Sequence, residues 1–575
     1  MLPLRLLRRA LKDFTSNQLY FQGNFMKQLK VSSIILQKNY SSQYYVDSPL
    51  SPVEIPDLTI PNYILKNVEK WPEKIAVECG VTGRKYTYSQ LKTLSKNVAL
   101  GLLNSGLKPG QIITFILPNM PEFIIAILGA LQAGLTVSTV NPLYNADEIR
   151  YQIIDSDSSM VITYPEKIND VNEAISKIEN NKLFPTVVIN NPSESLPQGT
   201  RSFKELLETR NNDETLLKGI KSNPDAMAVV LYSSGTTGLP KGVILTHRQI
   251  VSNCAQLSHP AVKIAYETSK SHQDVIMCIL PIFHVYGLSV NVFSNLAYGT
   301  KLITLPKFEP QSFLTALKEC TIAYFVPPLI QFLANNPSVT SKNMEKLRSV
   351  LNGAAAVSVT DALKLLSKKH IIINSGYGMT EAGPVITASR NTCIDLATVG
   401  VALSNEQIKI VNTETGETMD PSKPGEICVR GPQIMSGYYK KDQATAETIK
   451  DGWLHTGDVG YFSEGHLYIV DRLKELIKVK GFQVAPLELE ETLRQHPGVS
   501  DVAVVGKPDS RYGETPVAFV VPTVGKEPTE KELLSFVASK VAEYKQINSV
   551  IFMSSIPKNT TGKILRKELK KSLLK

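Results

Sequence analysis

The chain has 575 residues, 43% of them hydrophobic and 20% charged, an ordinary globular composition that excludes a disordered or fibrous protein. At roughly 150 residues per domain it is long enough for several packed units. Its net charge of +9 gathers at the start, where residues 1–45 hold seven basic groups and one acid. The nearly balanced remainder speaks against a nucleic-acid partner.

The six cysteines show no C-x-x-C pair and the eight histidines no ligand spacing, so a structural transition metal is not expected. The segment MLPLRLLRRALKDF alternates leucine and arginine, the profile of an organelle transit peptide. A second basic, serine-rich stretch begins at Met26, and between them LYFQG matches the core of a tag-removing protease site. Residues 1–45 are therefore either a leader, mitochondrial if native, or a tail without an address and a cytoplasmic protein. The terminal SLLK is not the peroxisomal S-K-L.

From about residue 85 helices and strands alternate. Leu91, Leu94 and Val98 recur at helical spacing before Gly106. A strand over 111–117 follows, then a helix after Pro121, a strand over 135–140, and short strands at 160–163 and 186–189. The apolar run Ile124–Val140 is broken by Gly129, Gln132 and Gly134 and is shorter than the ~20 residues of a membrane span. The alternation predicts an α/β fold with largely parallel sheets. After Val399 short strands and turns predict a compact β unit (EQIKIVN, GEICVRG, HLYIVD). The last hundred residues predict a small α/β unit. Its first helix starts at Pro486, a capping box joins Thr529 and Glu532, and a basic, solvated helix forms the tail.

The strongest chemical signal is YSSGTTGLPKGV (232–243), which follows the apolar strand AMAVVL. Gly235 and Gly238 free the backbone to wrap an anion. Ser233, Ser234, Thr236 and Thr237 supply hydroxyl donors, and Lys241 adds charge. It is not a Walker A loop, because Pro240 breaks that spacing.

Together with GYGMTEAGP (376–384), HTGDVG (455–460), DRLKELIKVKGFQV (471–484) and PKNTTGKILR (557–566), this loop resembles the adenylate-forming superfamily. That group holds acyl- and aryl-CoA ligases, firefly-type luciferases and peptide-synthetase adenylation domains, and the likeness is strongest to 4-coumarate–CoA ligase-like enzymes. The resemblance implies a multi-subdomain adenylation domain over 46–471, a hinge over 472–475 and a mobile α/β lid over 476–575. It implies ATP, Mg²⁺ and coenzyme A as cofactor and co-substrates of a small carboxylic acid.

By the same resemblance Lys563 bridges the carboxylate and the α-phosphate, and Glu381 holds magnesium. Thr380 touches the α-phosphate, Tyr377 lies on the adenine, and Asp458 and Arg472 take the ribose. Ser375 and Gly376 border nucleotide and acyl group, Lys474 is the pivot, and Lys478 and Gln483 are further nucleotide contacts. His284, Tyr286, Val290, Ala354 and Ala388 line the acyl site; Lys307, Lys480 and Gly481 guide coenzyme A. Val290, Ser375 and Ala388 depart from the plant coumarate pattern toward a roomier, less polar pocket, which discriminates weakly against acids without the para-hydroxyl. A phenylpropanoid-type acid or a medium- or long-chain fatty acid fits. A luciferase-like oxygenase, an inactive adenylate-binding homologue and a carrier-loading enzyme are the alternatives, told apart by O₂ dependence, pyrophosphate release and thiol acceptor.

Overall fold

The computed structural model describes residues 45–573 apart from 180–182, 191–194, 210–214, 234–238, 392–395, 480–481, 510 and 560–561. The leader reading thus lies outside the described residues but for Tyr45, which opens a short strand.

The apolar runs become strands buried on both faces, as parallel strands under crossover helices must be. Among the described residues an eight-stranded sheet has Ile112–Phe115 between Thr136–Thr139 and Ser158–Thr163, all parallel. Met227–Ser233 joins it in parallel, and Lys241–Thr246 returns antiparallel. The helix Tyr88–Asn104 starts at a full capping box on Thr87 and Gln90 and packs on the helix Pro121–Gln132. Gly129 permits that approach: a Cβ there would stand 2.6 Å from Val98. No helix among the described residues is long and apolar enough to cross a membrane.

A nine-stranded sheet carries a parallel run through Ile75–Cys79, Lys301–Thr304, Val275–Cys278, Ile322–Phe325, Ser349–Asn352 and Ile372–Gly378. The expected β unit is an antiparallel sheet built on Gln407–Val411, Gly425–Arg430, Trp453–Ser463 and His466–Arg472. The C-terminal segment forms its own five-stranded sheet, with Val499–Asp509 and Gly513–Pro522 as its long hairpin. The apolar clusters divide in the same place: the largest draws on residues 46–467, and two others on 477–569. A small cluster of Val459, Leu476 and Ala485 joins the two sides.

Two local expectations change. Thr529 does accept the Glu532 backbone N–H, but the Glu532 carboxylate turns to His496 Nε2 (3.1 Å) instead of closing the box. The tail helix Arg566–Ser572 is not wholly solvated. It buries Leu569, and Arg566 pairs with buried Glu490 at 2.8 Å.

Candidate active site

Both parallel sheets aim the C-terminal ends of their strands at one cavity of about 570 Å³, the usual place for a ligand in open α/β sheets. The strand Met227–Ser233 delivers Ser233 to its wall. Strand Ile372–Gly378 pairs antiparallel with the next strand of its sheet, Val385–Ala388, through a turn that carries Thr380 and Glu381. Only glycine fits that turn at two places. A Cβ on Gly378 would lie 2.0 Å from the Pro384 carbonyl oxygen, and one on Gly383, at φ +70°, would lie 2.3 Å from the Gln433 carbonyl oxygen. Glu381 is buried there. Its Oε1 accepts from the Ser233 hydroxyl (2.8 Å) and the Tyr438 hydroxyl (2.9 Å), which ties the two sheets together at one carboxylate.

Asp458 comes from the antiparallel sheet, where its strand register sets it opposite Arg472. Its carboxylate accepts from Tyr377 Oη at 2.7 Å and lies 3.5 Å from Arg472 Nε. Burial raises its pKa, and the Arg472 guanidinium opposes the rise. The preceding turn is held from behind. Glu426 accepts the Gly457 backbone N–H at 3.1 Å and faces His455 Nδ1 at 2.8 Å. With Cys428, these two put three metal-ligand atoms within 4.8 Å of one another, a grouping that the scattered spacing did not predict. Burial pushes the Cys428 thiol up, away from the thiolate a soft metal takes, and Glu426 already engages the imidazole nitrogen.

Lys563 arrives from the C-terminal unit. Its loop is pinned where Asn559 Oδ1 accepts the Lys563 N–H and the Lys563 carbonyl accepts the Asn559 N–H, both at 2.9 Å. Gly562, at φ +79°, brings the loop against Pro328 of the large unit, where a Cβ would stand 3.0 Å away. Burial beside Arg472 lowers the Lys563 ammonium to about 8, although Asp458 and Glu381 pull it upward.

On the other side of the cavity a π-helical stretch, Tyr286–Phe293, follows His284. The Tyr286 backbone N–H donates to His284 Nδ1, so the neutral ring carries its proton on Nε2. Burial and the Lys563 charge lower His284 to about 3. Tyr286 donates its hydroxyl to the Leu351 carbonyl and stands edge-on to Tyr324. Val290, Ala354, Gly376 and Ala388 complete this wall, with Ala354 at φ 68°.

A buried acid, a half-exposed arginine and a lysine from a second unit, around a cavity at the ends of two parallel sheets, form an anion-handling site. The family model described as AMP-binding enzyme matches residues 64–439, and that of the AMP-binding enzyme C-terminal domain matches 488–563. The chain belongs to the AMP-binding enzyme family. It is 39% identical to 4-coumarate–CoA ligase 1 of Arabidopsis thaliana over 544 residues, covering 90% of this chain and 94% of that protein. It is likewise 39% identical to 4-coumarate–CoA ligase 1 of Solanum tuberosum, covering 90% and 96%. The crystal structure of ATP-bound MatB from Rhodopseudomonas palustris superposes with a TM-score of 0.79 at 27% identity, covering 89% of this chain and 98% of MatB. The family is ATP-dependent and adenylate-forming.

The cavity of this AMP-binding enzyme thus gathers Ser233, His284, Tyr286, Val290, Ala354, Gly376, Tyr377, Thr380, Glu381, Ala388, Asp458, Arg472 and Lys563. Other singled-out residues lie off its wall. Ser375 is buried behind Gly376, its N–H on Ser389 Oγ. Lys241 pairs with Ser233 across the strands and holds its ammonium 5.0 Å from the Tyr438 ring centre. Lys474 stands beside Arg472, with a pKa lowered first by desolvation of its ammonium and then by the Arg472 charge. Lys478 and Gln483 face each other across an exposed hairpin, and Lys307 pairs with Glu309 at the surface. Ser234, Gly235, Thr236, Thr237, Gly238, Lys480 and Gly481 lie outside the described residues. Sequence reasoning missed Tyr438 and Asn559. GYYKK looks like a polar turn, and only its pairing with Lys241–Thr246 aims Tyr438 at Glu381.

Proposed function

We propose that this chain is an AMP-forming acid–CoA ligase that turns an aryl or phenylpropanoid-type carboxylic acid into its acyl-adenylate and then its coenzyme A thioester. In the first step a carboxylate oxygen attacks the α-phosphorus of ATP, forming the acyl–phosphate bond as pyrophosphate leaves. In the second the coenzyme A thiol loses its proton, its sulfur bonds the carbonyl carbon, and AMP departs. The reading rests on one observation: Lys563 of the C-terminal unit enters the cavity that Glu381, Asp458 and Arg472 share.

Adenylation forces two anions together, and a preorganised cation in a dry site is worth most where that charge meets. Lys563 supplies it. Asp458 and Arg472 hold the ribose, and Tyr377 stands at the base. His284, neutral at working pH, donates Nε2–H to the incoming carboxylate rather than repelling Lys563. The mixed anhydride is itself activated, so no protein nucleophile is required. Glu381 fits a hard cation: both of its donors address Oε1, leaving Oε2 to bind. Mg²⁺ held there would neutralise phosphate charge.

Lys478 and Gln483 stand exposed in this arrangement, which supports a second one in which the unit from 476 on turns about 472–475 and brings them to the thioester step. Lys307, Lys480 and Gly481 would then meet coenzyme A. The names of the relatives point toward 4-coumarate; the apolar Val290 and small Ala388 support acids less dependent on a para-hydroxyl. The test is acid-dependent pyrophosphate release over aryl and fatty acids, with and without coenzyme A. Release with arylpropenoates and CoA-dependent thioester formation support the reading. Absence of release with every acid overturns it.

A further inference from the structure

The acyl side of the cavity continues past Val290. Tyr286, Val290, Ser294 and Tyr298 line it at intervals of four residues along the helical path that runs from Tyr286 to Leu296. The eleven helical residues Tyr286–Leu296 span at most about 16 Å, and Tyr298 lies in the turn just beyond them. Tyr298 therefore stands several turns from His284, whose field already includes Lys563.

The polar groups along this path are committed elsewhere until its end. The Ser294 hydroxyl donates to the Ser289 carbonyl at 3.1 Å. Asn295 donates to the Val290 and Asn291 carbonyls and accepts from Tyr324. Tyr298 differs: its buried hydroxyl has no well-formed hydrogen bond, its neighbour being the Ser258 hydroxyl, which gives its own proton to the Ala255 carbonyl. Beside it Lys263, also on the cavity wall, holds its ammonium 4.0 Å from the Tyr298 ring centre. Lys263 is half-buried and forms no salt bridge among the described residues. The acids whose charge reaches it, Glu267 and Asp274, pair with Lys70 and Arg348 instead. A buried phenol whose neighbouring hydroxyl is committed to Ala255 and a partly desolvated cation without a carboxylate partner among the described residues share one end of a ligand cavity. Buried polar groups are ordinarily satisfied, so the missing partner belongs to the ligand.

We propose that Tyr298 and Lys263 recognise an acceptor oxygen at the far end of the acid, so that the enzyme prefers acids bearing a second carboxylate, carbonyl or ether oxygen distal to the reacting carboxyl. This deepens the ligase reading and rests on it. Where a site is built to pair an oxygen, an analogue lacking it is rejected far more strongly than one lacking a methylene.

The experiment compares matched acids, decanoate with decanedioate and cinnamate with 4-carboxycinnamate, on wild type, Tyr298→Phe and Lys263→Met. Pyrophosphate release should favour the oxygenated member in wild type by tenfold or more in kcat/KM. Each variant should cut that preference about tenfold through KM, leaving turnover of the plain acid within about twofold. Equal use of both members by wild type, or variants that slow both members alike, overturns the proposal. Titration calorimetry with the same acids separates its failure from that of the ligase reading. Binding without a preference for the second oxygen refutes the distal pair even if no pyrophosphate is released. A binding preference without any pyrophosphate supports the pair and refutes the ligase.

Discussion

Replacing Asp458 by asparagine tests the proposed ribose contact. The carboxylate is buried, takes the Tyr377 hydroxyl on Oδ2 and has Arg472 beside Oδ1, so a ribose diol would meet a preoriented, charged acceptor. Asparagine keeps one oxygen for Tyr377 and should keep the fold, but it removes the charge and turns the second acceptor into a donor. The loss of one charge-assisted hydrogen bond is worth about 1.5–3 kcal/mol, or roughly 10- to 150-fold in kcat/KM for ATP. The assay is acid-dependent pyrophosphate release with ATP and with 2′,3′-dideoxy-ATP. Wild type should prefer ATP by about that factor, and Asp458→Asn should lose the preference while using the dideoxy nucleotide within about threefold of wild type. If the variant weakened both nucleotides equally, Asp458 would not be reading the ribose.

Two further outcomes follow from buried charge. With Lys563 lowered to about 8, kcat/KM for adenylation should fall as pH rises through about 8, and Lys563→Arg should move that limb upward; a pH profile with no such limb contradicts the assignment. The same shift lets the unfolded chain hold the proton longer, so stability rises between about pH 8 and about 10.5. Glu406 is fully buried, accepts from Gln433 on Oε1 and has no partner on Oε2, and burial raises its pKa well above 4.5. A raised carboxyl contributes stability at low pH that is lost as pH climbs from about 4.5 toward the folded value. Glu406→Gln should therefore stabilise the protein at pH 8 by about 1–3 kcal/mol and flatten its pH dependence in thermal melts; a variant destabilised there contradicts the cost assigned to the buried carboxyl.

The sheets were legible because their parallel strands are buried on both faces, so that segments such as Ile112–Phe115 and Met227–Ser233 read as short, mostly apolar runs. Glu381, Asp458 and Lys563 could be named from their motifs, but not joined, since Glu381 reaches Ser233 through a glycine turn 148 residues away in sequence. Cross-strand register hid other neighbours: Cys428 stands opposite His455 only because two strands pair antiparallel. The capping box at Thr529 closed halfway because Glu532 had a tertiary partner in His496, which outcompeted the local bond. The π-helical turns after His284 carry no spacing signal, yet they aim Tyr286 and Val290 into the groove that Tyr298, in the turn beyond, also lines.

The role of Lys563 is tested most directly by Lys563→Ala in two separated half-reactions. Acyl-AMP formation, followed by ATP–pyrophosphate exchange, should fall by about 10²–10³-fold. Transfer from supplied acyl-AMP to coenzyme A should stay within about threefold of wild type. Exchange at the wild-type rate would contradict the account.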